Sequence, residues 1–410
     1  MSQHPQRTVE AVDKSFPLSL VGRPITALDE PLAEFSTPLL VLDEQAMAHN
    51  LQVMAAWTAE RGLELMPHGK TTMAPVLWRR QLDAGCTGIT VATGWQADVA
   101  LLAGVPTVQL ANTCTDPALL RRLAAHLLEH PEQELVCWAD SLATIDLLER
   151  ELPAGSRLGV LVELGADGGR TGARDEATAV AIAERVAASS TLALYGAAGY
   201  EGALAHDRAA ESLRVVGAYC DRLAALVVRL RPLIEGTPWV TAGGSAYFDL
   251  VADSFAPLTD VRAILRSGAY LVHDSGFYRG ISPLDTTRDV DEAQALLPAM
   301  RAYARVVSMP EPGLALLDAG KRDVPFDEGL PTPLAHARRL GGQEQPLEAE
   351  ITALNDQHAF LRWEGDSSLA LGDVVTLGLS HPCTAFDKWR LIPIVDSGTG
   401  TVREAVETFF

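Results

Sequence analysis

The sequence predicts an α/β protein of two domains: an eight-stranded (β/α)8 TIM-like barrel over residues 44–280, then an all-β domain over 281–410 that residues 1–43 complete. Three observations carry this reading. Short β-branched runs alternate with longer amphipathic stretches from about residue 38 to about 272, the βα signature of a parallel sheet. The strand signals number nine, one more than a closed barrel needs. After about residue 280 the helix-length apolar period gives way to short strands punctuated by proline.

The strand candidates are LLVLD (39–43), LELM (63–66), GITVAT (88–93), TVQLAN (107–112), ELVCWAD (134–140), LGVLVEL (158–164), LALYGAAG (192–199), WVTAGG (239–244) and AILRSG (263–268). The first, LLVLD, is assigned to the other layer. Between them, DPALLRRLAAHLLEH has apolar residues at helical spacing, and DEATAVAIAERVAAS follows an acidic start that favours a helix N-terminus. A doubly wound open sheet shares this alternation and stays open as an alternative. Farther on, RAYARVVSMPEP, GLALLDAG, EAEITALND, HAFLRWEG, DVVTLGL and KWRLIPIVD read as strands joined by turns. GGQEQPLEAE (341–350) reads as a loose polar connector, and there is no internal repeat.

With 410 residues, 48% of them hydrophobic, the chain can bury a large core. Its net charge of −20 repels nucleic acid and anionic membranes, so neither is an expected partner. The sequence contains no run of about 18 apolar residues, and its opening MSQHPQRTVEAVDKSF lacks the apolar core of a secretory signal. A cytoplasmic location is expected. The five cysteines include no CxxC pair, which argues against a disulfide framework. Small molecules and further copies of the chain are the expected partners.

The 33 basic residues include four lysines, Lys14, Lys70, Lys321 and Lys388, so amine chemistry has few places to live. Lys70 lies in MPHGKTTMAP, directly after the strand LELM. A loop lysine is ordinarily a solvated surface group. The C-terminal end of an early barrel strand is, however, where such barrels build active sites.

The segment LLVLDEQAMAHNLQVMAAWTAERGLELMPHGKT resembles the opening of the fold-type III pyridoxal-phosphate (PLP) enzymes of the D-serine dehydratase and D-threonine aldolase group, whose barrel is of the alanine racemase N-terminal type. Thr37-Pro38 to Asp43 matches the group's entry element, and Pro67, His68, Lys70 and Thr71 match its PH-x-KT lysine motif. The resemblance implies that Lys70 carries PLP as a Schiff base. Such a cofactor delocalises charge at the substrate Cα, and the released amine can move protons.

A second match is LSHPCTAFDKW, where His381 and Cys383 are two residues apart. On an extended strand that spacing aims both side chains to one face, as a shared metal requires. A bare HxC is also compatible with a packed cysteine and a capped histidine. The longer string resembles the zinc-binding His-Pro-Cys motif of D-serine dehydratase and its deaminase relatives; the aldolases carry Asp in place of Cys. Two protein ligands leave open positions on Zn²⁺ or another divalent metal, and thiolate with imidazole favours zinc. A metal on the substrate's β-oxygen would stabilise departing hydroxide.

Gly243, Gly244 and Ser245 after WVTA resemble the group's phosphate loop, and Arg266-Ser267-Gly268-Ala269-Tyr270 resembles its R-P-G-N-Y element. Gly-Gly-Ser is equally an ordinary turn, and Tyr270 an ordinary core tyrosine. Arg170 in VELGADGGRTG resembles the arginine that reaches the cofactor ring. Tyr200 in GYEG and His358 in NDQHAF sit at similar positions, with His358 read as structural. One departure is Thr72, where many relatives have histidine. It places the chain nearest the D-amino-acid deaminase and D-threo-3-hydroxyaspartate dehydratase branch.

The resemblance implies a homodimeric PLP- and zinc-dependent dehydratase that converts D-serine, D-threonine or D-threo-3-hydroxyaspartate to a 2-oxo acid and ammonia. Alternatives are an aldolase yielding glycine and an aldehyde, a racemase, and a PLP-binding protein without turnover. The last usually lacks the β domain and its metal motif.

Overall fold

The computed structural model describes residues 7–153 and 155–410. Eight parallel strands form one sheet: Glu64–Leu65, Ile89–Val91, Thr107–Leu110, Glu134–Ala139, Leu158–Leu164, Leu192–Gly199, Trp239–Ala242 and Arg262–Leu265. The last strand pairs with the first, with Ile264 opposite Glu64. The first meets the second through a His68–Thr90 bridge and a bond from Thr90 N–H to the Pro67 carbonyl (2.9 Å). The ladder therefore closes into a barrel, and the open-sheet alternative falls.

All eight barrel strands coincide with the predicted runs to within three residues at each end, because buried parallel strands are continuous apolar runs. Met66, Val136, Trp138, Leu161, Ala198, Trp239 and Ile264 fill the barrel interior. Met66, Val136, Leu161 and Ile264 each contribute about 1.5–3 kcal/mol when fully buried. Above them the lumen turns polar, with Thr90, Gln109, Thr241 and Arg266 all buried.

The surrounding helices carry their own start signals. Asp116 accepts bonds from Ala118 and Leu119 N–H ahead of the Pro117–Glu129 helix, which buries Leu120, Leu123 and Ala124. Asp175 caps Glu176–Ala187 in the same way, and each cap contributes about 1 kcal/mol. No helix among the described residues is long and apolar enough to cross a membrane.

Among the described residues the second sheet has eleven strands. Leu39–Asp43, buried along its whole length, lies at its centre between Met300–Glu311 (antiparallel) and Leu391–Asp396 (parallel). Three strands escaped the sequence reading: Glu30–Pro31, Thr332–Ala337 and Thr401–Glu407. The supposed connector GGQEQPLEAE is also corrected, since Gln345–Pro346 pairs with Ala335 and His336. Helix Glu44–Ala59 joins the two layers: its buried Asn50 donates to the Leu271 and Leu297 carbonyls (3.1 and 2.8 Å) and accepts from Leu297 N–H.

Beyond the last barrel strand, buried Asp285 accepts from His273 Nε2 (2.8 Å) and from Thr287 N–H (2.8 Å). Burial alone would raise its pKa, but the bonds from His273 and Thr287 hold the carboxyl well below the usual range. A depressed folded-state pKa contributes stability above the unfolded-state value and loses it as pH falls toward the folded value. Asp285→Ala is therefore expected to cost roughly 1–3 kcal/mol at pH 7. The gap from wild type in thermal unfolding midpoint should narrow as the pH drops below about 4.

Candidate active site

Lys70 sits in a single 3₁₀ turn, Gly69–Thr71, at the C-terminal end of the first barrel strand. Gly69 is required there, because a Cβ would lie 2.7 Å from both Ile89 and the Trp78 indole nitrogen. That indole donates to the Gly69 carbonyl (3.2 Å) and to Thr72 Oγ1 (3.1 Å). Thr72, the position that departs from many relatives, thus braces the turn that presents Lys70. Burial lowers the Lys70 pKa; Cys383 opposes this, and Arg170 and Arg266 push it further down. More of the amine is consequently neutral and nucleophilic near pH 7.

Cys383 lies in the 3₁₀ turn Pro382–Thr384, with its sulfur 3.1 Å from Thr71 Oγ1. The fold thus brings the two motifs, over 300 residues apart, into contact. Burial would raise the thiol's pKa, but His381, Thr71 and Lys70 together bring it down. His381 has the left-handed φ of 53°, and its N–H reaches the Asp274 carboxylate (3.3 Å). Asp274 also accepts from Gly276 and Tyr278 N–H (3.0 and 2.9 Å), so one buried carboxylate shapes both loops. The expected extended strand is corrected to a left-handed residue entering a turn. Burial would lower the pKa of His381, but Cys383 and Asp327 raise it to about 9.

Arg170 stacks over the Tyr200 ring, 4.7 Å from its centroid. Tyr200 is fixed by its N–H bond to Tyr219 Oη (3.1 Å), and Tyr219 donates to the Leu164 carbonyl (2.6 Å). Arg266 is buried in the lumen, donating to Thr241 Oγ1 (2.8 Å) and the Gly199 carbonyl (2.6 Å). His68 is equally confined. Burial, then Lys70 and Arg266, hold its imidazole well below the usual range, and its Nδ1 is buried without a hydrogen-bond partner.

The loops after the seventh and eighth strands interlock at the same mouth. Ser267 donates to the Gly244 carbonyl (3.1 Å), and Ala269 N–H donates to Ser245 Oγ (3.3 Å). Gly268 admits no side chain, since a Cβ would lie 2.5 Å from the His68 carbonyl. The N–H groups of Gly243 and Gly244, expected to face a phosphate, instead donate to the fully buried Glu201 carboxylate. Tyr270 is corrected too: its hydroxyl accepts from Gln81 (3.1 Å) and lies near Cys86 (3.9 Å), on the helix side of the barrel. His358 shares a turn with Asn355, whose N–H it accepts at its carbonyl (2.8 Å).

The sequence reading missed His68 as a site group in its own right, and also Glu201, Asp274, Tyr278 and Asp327. Tyr278 is half-buried near Cys383 and Tyr200, with its hydroxyl toward Ser245. His68 had a signal, being part of PHGKT, and Glu201 stands beside Tyr200 in GYEG; the others are joined to the site by long-range packing.

Arg170 and Arg266 supply cationic nitrogens beside the Lys70 amine, His68 Nδ1 is a buried atom without a hydrogen-bond partner, and Ser245 sits at the mouth. This set fits an anionic cofactor that forms a Schiff base. His381 and Cys383 interact through their side chains and fit a thiophilic metal as two ligands. Among the described residues, no three His, Cys, Asp or Glu side chains form a metal-holding group. Any further metal positions would fall to solvent or substrate.

A barrel presenting such a lysine from its first strand, joined to a β sheet, defines the class of fold-type III PLP enzymes. The chain belongs to the "Alanine racemase, N-terminal domain" family, whose model matches residues 42–272. A second model, "Putative serine dehydratase domain", matches residues 299–395. Among curated proteins, the D-threonine aldolase of Arthrobacter sp is 28% identical over 373 residues, covering 90% of this chain and 91% of that protein. The D-threo-3-hydroxyaspartate dehydratase of Delftia sp. is 26% identical over 350 residues, covering 82% and 85%. Among solved structures, D-threonine aldolase from Filomicrobium marinum superposes with a TM-score of 0.80 at 27% identity, covering 93% of this chain and 96% of that one. A cysteine-to-alanine mutant of D-threo-3-hydroxyaspartate dehydratase, solved in its metal-free form, shares the fold with a TM-score of 0.74 at 22% identity, covering 93% and 99%.

Proposed function

We propose that the chain is a PLP-dependent lyase of D-configured β-hydroxy amino acids that acts as a dehydratase, with a divalent metal, zinc by preference, held at His381 and Cys383. The single observation that carries this reading is the contact between the two motifs, with the Cys383 sulfur 3.1 Å from Thr71 beside Lys70. When bound, PLP supplies an electron sink for charge at Cα, and the metal a Lewis acid for the β-oxygen.

Lys70 would hold the cofactor and, once released, take the Cα proton, a task suited to an amine of reduced basicity. Arg170 stacked on Tyr200 would orient the cofactor ring, and Ser245 with the Gly268–Ala269 loop would meet its phosphate. Glu201 would act indirectly, by fixing the Gly243–Gly244 turn. His381 and Cys383 would place the metal on the hydroxyl that leaves. The related curated enzymes, both aldolases and a dehydratase, support a lyase on D-amino acids.

The aldolase reading is favoured by one observation, the wide coverage shared with D-threonine aldolases. Against it stands Cys383, because the aldolase motif resembled above carries Asp at that position. A homodimer and a cytoplasmic location remain part of the proposal. The test is metal removal. Formation of 2-oxo acid and ammonia should stop with EDTA and return with Zn²⁺, and full activity in a chelated, metal-free preparation would take the metal out of the reaction.

A further inference from the structure

Asp327 lies on the segment after Val324, where it faces the His381–Thr384 turn. Its Oδ2 accepts from His381 Nδ1 at 2.6 Å, and its Oδ1 accepts from Thr384 Oγ1 at 2.6 Å. One carboxylate therefore grips the residues on both sides of Cys383. The segment carrying it is itself anchored: Trp389 Nε1 donates to the Asp323 carbonyl (2.8 Å), and Ser380 donates to the Gly329 carbonyl (2.8 Å).

An imidazole whose Nδ1–H is committed to a carboxylate has one tautomer and one free lone pair, on Nε2. With Nδ1 turned to Asp327, the nitrogen left for the side-chain interaction with Cys383 is Nε2. Metal-bound histidines are commonly fixed in this way by a carboxylate, and losing that partner typically costs 10–100-fold in metal affinity. The Phe277 ring, 6.0 Å from the imidazole centroid, covers another side of the ring.

We propose that Asp327 is a positioning residue for the metal pair, a clamp that sets the ring plane of His381 and the pitch of the Pro382–Thr384 turn so that Nε2 and the Cys383 sulfur face one point. This rests on the reading of His381 and Cys383 as metal ligands. It concerns a residue that no motif in the sequence marks.

The experiment measures Zn²⁺ affinity of the purified, PLP-loaded protein by competition with a chromogenic chelator. It compares wild type with Asp327→Asn, Asp327→Glu and Thr384→Val. Asp327→Asn keeps the shape but removes the charge and one of the two acceptors, so zinc should bind 10–100-fold more weakly with the cofactor absorbance unchanged. Asp327→Glu should recover part of that loss, which a merely structural surface residue would not require. Thr384→Val tests the other arm of the clamp, should Asp327→Asn not fold, and should weaken zinc severalfold. Wild-type affinity in Asp327→Asn, or in Thr384→Val if only that variant folds, overturns the clamp while leaving the metal site standing. Absence of zinc binding by wild type overturns the clamp and the metal reading together.

Discussion

Lys70→Ala is expected to abolish turnover, with a loss on the order of 10⁴-fold or more, the scale seen when a covalent catalyst is removed. The first barrel strand ends at Leu65, and a turn built on Gly69 and braced by Trp78 delivers this lysine to the mouth of the barrel. The other lysines lie elsewhere: Lys14 pairs with Asp323, while Lys321 and Lys388 stand over the Phe326 ring. None of these three lysines is placed to take over. Wild-type protein with PLP should show visible Schiff-base absorbance that borohydride makes permanent, and Lys70→Ala should show neither. A stable borohydride adduct in Lys70→Ala would move the Schiff base to another residue.

Cys383→Ala should separate the cofactor from the metal. The thiol lies under Thr71 and interacts with His381, so its removal leaves the lysine turn intact while taking away one of two proposed ligands. Cofactor absorbance should be retained and dehydration should fall by roughly 10²–10³-fold, the range for losing a group that stabilises departing charge. Steady-state kinetics with added Zn²⁺ would show the fall in kcat. Unchanged kcat in Cys383→Ala would leave the thiol a packing residue.

Much of the fold was legible because its main elements are local. LGVLVEL and LALYGAAG are strands over the predicted residues, the first because a strand buried on both faces needs an unbroken apolar run and the second because it is apolar and nearly as buried. Thr401–Glu407 was illegible for the opposite reason. TVREAVE mixes charge with Val402, Ala405 and Val406, and its charges are met at a distance, Arg403 by Asp29 and Glu404 by Arg80. Thr332–Ala337 contains Pro333 and pairs across an irregularity, which conceals its alternation.

The candidate site divides along the same line. Lys70, His381 and Cys383 stand in compact motifs, and the fold brings those motifs into contact. Arg170 and Tyr200, thirty residues apart in sequence, stack on one another. Asp274 and Asp327 left no trace in spacing or composition, because their bonds to His381 span more than fifty residues, and Glu201, though it stands in GYEG, acts on the distant N–H groups of Gly243 and Gly244. Tyr270 shows the reverse error. Its neighbours Gly268 and Ala269 face the mouth, but one residue farther along the turn the side chain swings to Gln81.

The most direct test of the dehydratase account is product analysis with purified protein, PLP and Zn²⁺, offering D-serine, D-threonine and D-threo-3-hydroxyaspartate separately. The account expects ammonia and a 2-oxo acid in equal amounts from at least one of them. Glycine with an aldehyde as the main products would contradict it and establish Cα–Cβ cleavage in its place.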